Sequence, residues 1–474
     1  MPRWLARHGW LGILVVAITA LVAFAACGDD DEEEPGATTP AATGTPAATG
    51  PLKIGLLFSY TGGLADFGPE HEKSARLAVK HINAAGGVLG QDVEVVTADD
   101  ATNPDTGVAE ARRLIDVEGV NAIVGALGST ISLTVAESVT APAKILQISA
   151  SSTSPALTAA DDDDYLFRTP ISDAAQGLVL AQVVKDQLAF NSVCVMYVNN
   201  AYGQGLAENF AAAYEDSGGQ ITAQVPHAES GTTFTSELNQ CVSGGPEALV
   251  AISYPTAQAE VYLREAVEGS LIDKFVFVDG TKSDTMFNSL GFENFDAMSG
   301  TSPGALPPSQ FTNKFDEAFT TEYGAIYQKS FVRETYDAVI AIALAAEAAG
   351  STDSTDIRDA LRDIANAPGT LVAPPPQGIA DALKAVADGK DVDYSGASGS
   401  VEFDENGDVS LGAIEVWHVD AANKKLVTDN SFKVDLAAGT VEEITPTSTR
   451  SVQPSVDARA WVAALPELPR WSIF

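Results

Sequence analysis

Cationic side chains are scarce in this chain. Only 27 Lys and Arg stand against 64 Asp and Glu, a formal charge of −37 over 474 residues. Such a surface repels nucleic acid and anionic lipid headgroups, which argues against a nucleic-acid partner. Histidine is sparse too: His8, His71, His81, His227 and His418 show no zinc-ligand spacing. There is no Gly-x-Ser-x-Gly elbow, so the serine-rich loops give no support for a hydrolase. No nucleophile–base pair and no metal cluster is apparent, so the residues call for no catalysis, metal or cofactor. Cysteine is limited to Cys27, Cys194 and Cys241.

The N-terminus has Arg3 and Arg7 ahead of an uncharged apolar run over residues 10–26, short for a membrane span. It ends Phe24-Ala25-Ala26-Cys27, which resembles a bacterial lipobox, with Phe24 where Leu is usual. Residues 1–26 are therefore expected to be a signal peptide and Cys27 to carry lipid that fixes the protein to a membrane. Residues 27–51 follow, and after Cys27 they are Asp, Glu, Gly, Ala, Thr and Pro, with nothing to bury. As a flexible tether they would span roughly 25–30 Å. Outside the cytoplasm Cys194 and Cys241 can pair, in a loop worth about 4 kcal/mol of chain entropy. Two separate buried thiols fit the sequence equally.

From Leu52 short apolar runs alternate with amphipathic stretches. Strands are expected at 53–58, 93–98, 122–124 and 144–148, with helices at 69–85, 106–118 and 130–140. The rhythm restarts after Arg168, with strands at 193–198, 221–225, 248–253 and 274–278 and helices at 205–216, 234–242 and 257–268. Helices follow at 310–323, 334–349 and 354–366, a proline break at 374–376, and strands at 400–403 and 413–419. Strands alternating with helices imply parallel sheets covered on both faces. The expected fold is α/β with two lobes, each a parallel sheet flanked by helices, and a ligand cleft between them. Lobe 1 is assigned to residues 52–170 with about 302–395 returning to it, lobe 2 to 171–301 with about 396–440. Residues 441–474 form a tail of unassigned structure.

Ligands in such sheets sit beyond the carboxyl ends of the strands. The loop 125–130 (GALGST) opens a helix, whose free N–H groups and the Ser129 hydroxyl suit a carboxylate; Ser129 or Thr130 could equally be a plain N-cap. The loop 149–155 is rich in hydroxyls. Asp279 ends a strand beside Gly280 and could bind an ammonium. Tyr202 and Tyr254 end two others and could pack on a ligand or on the hinge.

Several stretches, in this order and spacing, resemble the type I periplasmic binding proteins, and among them the branched-chain amino-acid receptors of ABC transporters. They are 62–68 (GGLADFG), 82–90 (INAAGGVLG), 167–177 (FRTPISDAAQG), 202–205 (YGQG), 336–338 (YDA) and 403–408 (FDENGD). The resemblance covers about residues 52–419. It implies that Ser129 and the backbone at Ser151 and Thr153 hold a ligand's α-carboxylate and α-ammonium, with the Thr153 hydroxyl also in contact. Asp279 falls at the acidic partner of the ammonium, Tyr202 and Phe67 at aromatic contacts, and Tyr254 at a contact whose register is loose by one residue. Asp173 is read as holding a turn at the hinge. The implied partners are a small ligand and a permease–ATPase complex, with membrane attachment through the N-terminal lipid.

Two motifs are decoys. Gly203-Gln204-Gly205 lacks the third glycine of a dinucleotide loop. Asp404 to Glu415 imitates a calcium loop, but Val409 occupies the position that needs glycine. The fold leaves other ligands open, namely an amide, urea or aromatic acid, and it leaves a ligand sensor without transport open as well.

Overall fold

A computed structural model describes residues 50–305, 310–372 and 377–444. The expected signal peptide, Cys27, nearly all of the tether, the proline break at 374–376 and the tail beyond residue 444 lie outside the described residues.

Two sheets organise the body. The first holds β1 (Lys53–Phe58), β2 (Glu94–Asp99), β3 (Ala122–Gly125), β4 (Leu146–Ser149) and β5 (Leu166–Arg168), all parallel, in the order β2-β1-β3-β4-β5. The second begins with β6 (Ser192–Val198), β7 (Gln220–His227), β8 (Ala248–Ile252), β9 (Phe275–Phe277) and β10 (Ser299–Gly304), parallel in the order β7-β6-β8-β9-β10. The two orders repeat each other. Each reverses direction beside its first strand, and at such a switch point the loops leaving neighbouring strands diverge and open a crevice.

Strands buried on both faces need continuous apolar runs, and β1, β3, β6 and β8 supply them as KIGLLF, AIVG, SVCVMYV and ALVAI. The helix Gly68–Ala84 starts with Pro69 in its first turn, where the missing N–H costs nothing. It ends before Gly87 at φ +77°, where a Cβ would meet the Gln91 carbonyl oxygen at 1.9 Å, so only glycine fits. Cys194 on β6 and Cys241 on the helix Thr235–Val242 are joined in a disulfide, with Cα atoms 5.5 Å apart. That pairing is the one of the two open alternatives the structure adopts.

Beyond β10 the chain returns to the first lobe. Helix Val332–Ala349 packs on Gly68–Ala84 there, and β11 (Thr370–Val372) pairs with β12 (Val392–Tyr394) in a small sheet of their own. The last crossing differs from expectation. Residues 396–409 stay with the first lobe: Asn366 exchanges hydrogen bonds with Phe403, the Phe403 ring meets Phe167 edge-on, and the Gly407 carbonyl accepts from the Arg168 N–H. The chain crosses only after Val409. Residues 400–403 form no strand, and only single bridges tie Ser400 to Ser395 and Phe403 to Val409. The second sheet then gains three antiparallel strands, β13 (Leu411–Asp420), β14 (Lys425–Asp435) and β15 (Thr440–Ile444). β15, and β14 as a strand, were not expected. No helix among the described residues is long and apolar enough to cross a membrane.

Candidate functional site

The two switch points face each other across one cleft, and the loops there are positioned by hydrogen bonds to polar side chains of neighbouring loops. After β1, Asp99 accepts the N–H groups of Tyr60, Thr61 and Ala101, while Thr102 Oγ1 accepts from Leu64 N–H. This aims Leu64 and Phe67 into the cleft. Gly62 is obligatory in that loop: φ is +82° and a Cβ would lie 2.3 Å from the Ala101 carbonyl oxygen. After β3, serines from the β4 loop hold the carbonyls. Ser149 Oγ donates to Ala126 O at 2.7 Å and Ser151 Oγ to Leu127 O at 2.8 Å. Leu127 and Ser129 are thereby fixed at the start of the helix Ser129–Val135.

The opposite wall comes from the equivalent loops of the second sheet. After β6, Asn200 caps the helix Ala201–Asp216 by accepting Gly203 N–H, which sets Tyr202 at its first turn. Tyr254 follows β8 and stacks on Tyr202, with ring centroids 5.4 Å apart and planes 10° apart. Asp279 follows β9. Its Oδ1 accepts from Tyr202 OH at 2.9 Å and from Gln176 Nε2 at 2.8 Å, and Gly280 N–H donates to the same tyrosine oxygen.

Between these walls lies a tight pocket that takes in about 270 Å³ of space, part of it open to solvent. Of the seven residues singled out from the sequence, six line it: Phe67, Ser129, Ser151, Tyr202, Tyr254 and Asp279. Thr153 does not. It is fully buried behind the wall, and its carbonyl accepts Asp173 N–H and Arg168 Nη1. Its hydroxyl lies close enough to the Asp173 carboxyl to favour the charged form, yet makes no hydrogen bond of good geometry. Chain direction explains the displacement, since Thr153 already belongs to the turn that descends toward the hinge. Ser151 gives its hydroxyl to Leu127 O, and its N–H has only a 3.5 Å contact to Ser149 Oγ, so its backbone is the group it can offer.

The lining also includes Leu64, Leu127, Gly280 and Phe331, none of which the sequence marked. Phe331 sits between two first-lobe helices at φ +67°, a backbone state that no local pattern announces in a large side chain. Asp173 is not part of the lining but lies fully buried. It starts the helix Asp173–Gln182, as a turn-holding residue would, but both carboxyl oxygens are buried without a hydrogen bond.

The electrostatics of the two walls differ. Burial raises Asp279 to about 6, against the hydrogen bonds of Gln176 and Tyr202 that favour its charged form. Burial, and then the neighbouring Asp279 charge, pushes Asp173 well above the carboxylate range. Burial and the same two carboxylates raise Tyr202, which stays a neutral donor. Arg168 is committed elsewhere, gripping Asp408 at 2.7 Å and the carbonyls of Thr153 and Ser154. The cleft therefore shows an excess of acceptors on the second-lobe wall and hydroxyls with open backbone on the first. Among the described residues no group of three or more His, Cys, Asp or Glu could hold a metal ion.

Comparison with known proteins agrees with this architecture. The family model described as periplasmic binding protein matches residues 51–389. The Leu/Ile/Val-binding protein homolog 3 of Brucella melitensis biotype 1 is 27% identical over 378 residues, covering 79% of this chain and 93% of that protein. The leucine-, isoleucine-, valine-, threonine-, and alanine-binding protein of Pseudomonas aeruginosa is 25% identical over 384 residues, covering 79% and 92%. In structure, the leucine-binding protein LivK of Thermotoga maritima superposes with a TM-score of 0.68 at 23% identity, covering 82% of this chain and 99% of that one. With a family model matching most of its length and two lobes meeting at facing switch points, the chain belongs to the periplasmic binding protein family, in its type I form.

Proposed function

We propose that this protein is an extracytoplasmic receptor that captures an α-amino acid with an aliphatic side chain and delivers it to an ABC transporter permease. The observation that carries this reading is the split chemistry of one small cavity. One wall holds a buried carboxylate flanked by two tyrosines, the other a serine hydroxyl and backbone, and Leu64, Phe67, Leu127 and Phe331 supply an apolar surface. A zwitterion satisfies all three. Its ammonium faces Asp279 and Tyr202, its carboxylate Ser129 and the backbone at Ser151, and its side chain the apolar residues. Each polar group left unmatched would cost about 1–3 kcal/mol, so ligands lacking either charge are disfavoured. The branched-chain ligands named for the relatives support the same choice.

Lipid on Cys27 would hold the receptor at the membrane through the flexible segment that follows, and two or more acyl chains anchor stably where one does not. Calorimetry on the full chain tests the ligand, using leucine, isoleucine, valine, alanine, benzoate and acetamide. Tightest binding is expected for one of the four amino acids. Tightest binding of benzoate or acetamide, neither of which has an ammonium, would replace this reading with an aromatic-acid or amide receptor.

A further inference from the structure

The lobes are in contact across the cleft. Three of the bonds that join them there are neutral: Ser154 Oγ donates to Ala201 O at 2.7 Å, Ala201 N–H to Thr130 Oγ1 at 2.9 Å, and Thr256 N–H to Gly63 O at 3.4 Å. One cluster is charged. Lys329, in the first-lobe loop ahead of helix Val332–Ala349, has a side chain only 5% exposed. Its ammonium pairs with Asp66 of the same lobe at 2.6 Å and with Asp284 of the second lobe. Asp66 reaches across as well, accepting from Ser283 and from Thr285 Oγ1 at 2.8 Å. Burial would raise the Asp66 carboxyl, but the Lys329 charge and these hydrogen bonds outweigh it and hold Asp66 below its ordinary range.

The cluster's place in the chain is what gives it a role in binding. Asp66 immediately precedes Phe67, and Lys329 stands two residues before Phe331. Both phenylalanines line the cavity. Phe331 holds its left-handed backbone only because the surrounding structure imposes it. We propose that Lys329 is a positioning residue that latches the two lobes, so that closing the cleft and completing the apolar end of the cavity are one event. This rests on the reading of the protein as a receptor that closes over its ligand.

The physical case is one of charge count. Without Lys329, the largely buried Asp66 and the half-exposed Asp284 would meet across the interface with no cation between them, leaving the Asp66 charge uncompensated. Closure would then be disfavoured. Entry occurs through the open form and escape requires opening, so the penalty falls on dissociation.

The test uses the full chain with Lys329→Met, Lys329→Arg and Asp284→Asn. Asp284→Asn is the second route in case the lysine variant folds poorly, because it removes only the cross-lobe partner. Stopped-flow with the tightest-binding amino acid should show dissociation about tenfold faster in Lys329→Met, association within about twofold of the parent, and partial recovery in Lys329→Arg. Small-angle scattering of the ligand-free protein should show a larger radius of gyration in Lys329→Met and Asp284→Asn. A lower melting temperature with both rate constants and the radius unchanged signals a role in stability alone and overturns the latch. If no amino acid binds, the amino-acid reading falls while a receptor for another ligand stands, and scattering still decides the latch: an unchanged radius overturns it, an enlarged one upholds it.

Discussion

On the first lobe's wall the polar groups are a serine hydroxyl and backbone; on the second lobe's they are a carboxylate and two phenols. Yet the two walls are topological counterparts. Leu64 and Phe67 follow the first strand of one sheet as Tyr202 follows the first strand of the other, and Leu127 with Ser129 answers Tyr254. Ser151 and Asp279 close the series after the fourth strands. The same backbone scaffold thus offers the same set of loop positions twice, and side-chain chemistry gives one wall a hydroxyl and open backbone and the other a carboxylate and phenols. The teaching is that topology sets where the walls stand, and residue type sets their polarity.

Breaking the charged wall should have the largest effect. Asp279→Asn removes the carboxylate that, on the proposed reading, would face the ligand's ammonium in a desolvated site, and calorimetry should show affinity falling by about a hundredfold or more. An unchanged affinity would remove Asp279 from the site. The apolar contribution comes next. Phe67→Ala or Phe331→Ala should weaken leucine by about tenfold to thirtyfold and alanine much less, because the lost contact is with the ligand side chain. Equal losses for both ligands would show that these rings do not sense side-chain size. Ser129→Ala deletes one uncharged donor on the opposite wall and should cost about fivefold to tenfold. A loss as large as that of Asp279→Asn would break the asymmetry described above.

Stability should respond in the opposite sense to affinity. The Asp279 carboxyl, ordinarily near 3.8, lies at about 6 in the folded protein. Between those values the folded state keeps a proton that the unfolded chain has released, so this group's contribution falls as pH rises through about 4 to 6 and stays low above. Asp279→Asn cannot ionise. Its melting temperature should exceed the parent's by a few degrees at pH 7, with the difference shrinking toward pH 4 in a calorimetric series. A parent that gains on the variant as pH rises would reverse the sign. The smallest effect on the cleft should be that of Cys27→Ser, which leaves ligand affinity unaltered on either wall and releases the protein from membranes. Membrane retention of that variant would point to an uncleaved N-terminal helix instead.

Legibility in the sequence followed local signal strength. The parallel strands were readable because burial on both faces forces unbroken apolar runs. Ser129, Tyr202, Tyr254 and Asp279 were readable because each comes directly after such a run, where a βα loop must turn. Strands β14 and β15 were not, since KLVTDNSFKVD is only partly buried, TVEEI is largely open to solvent, and both mix polar with apolar residues as loops do. Residues 396–409 were given to the wrong lobe because nothing in FDENGD says which sheet it will lie against. That depended on partners far away, such as Asn366 and Arg168. Thr153 looked like a ligand contact yet is sealed in the backing layer beside Asp173, and the difference between wall and backing layer is a matter of depth that no spacing encodes.

By itself the sequence determined two alternating α/β series, the loops that end their strands, an acidic surface and the residue types those loops bring. These follow from periodicity and local turn chemistry, which depend on near neighbours. Only the tertiary structure decided that Phe331 joins Phe67 from a loop more than 260 residues away, that Lys329 bridges Asp66 and Asp284, that Cys194 meets Cys241, and that Thr153 is sealed behind the wall. Those outcomes depend on how two sheets dock and how deeply each side chain is buried, and burial is a property of the assembled chain.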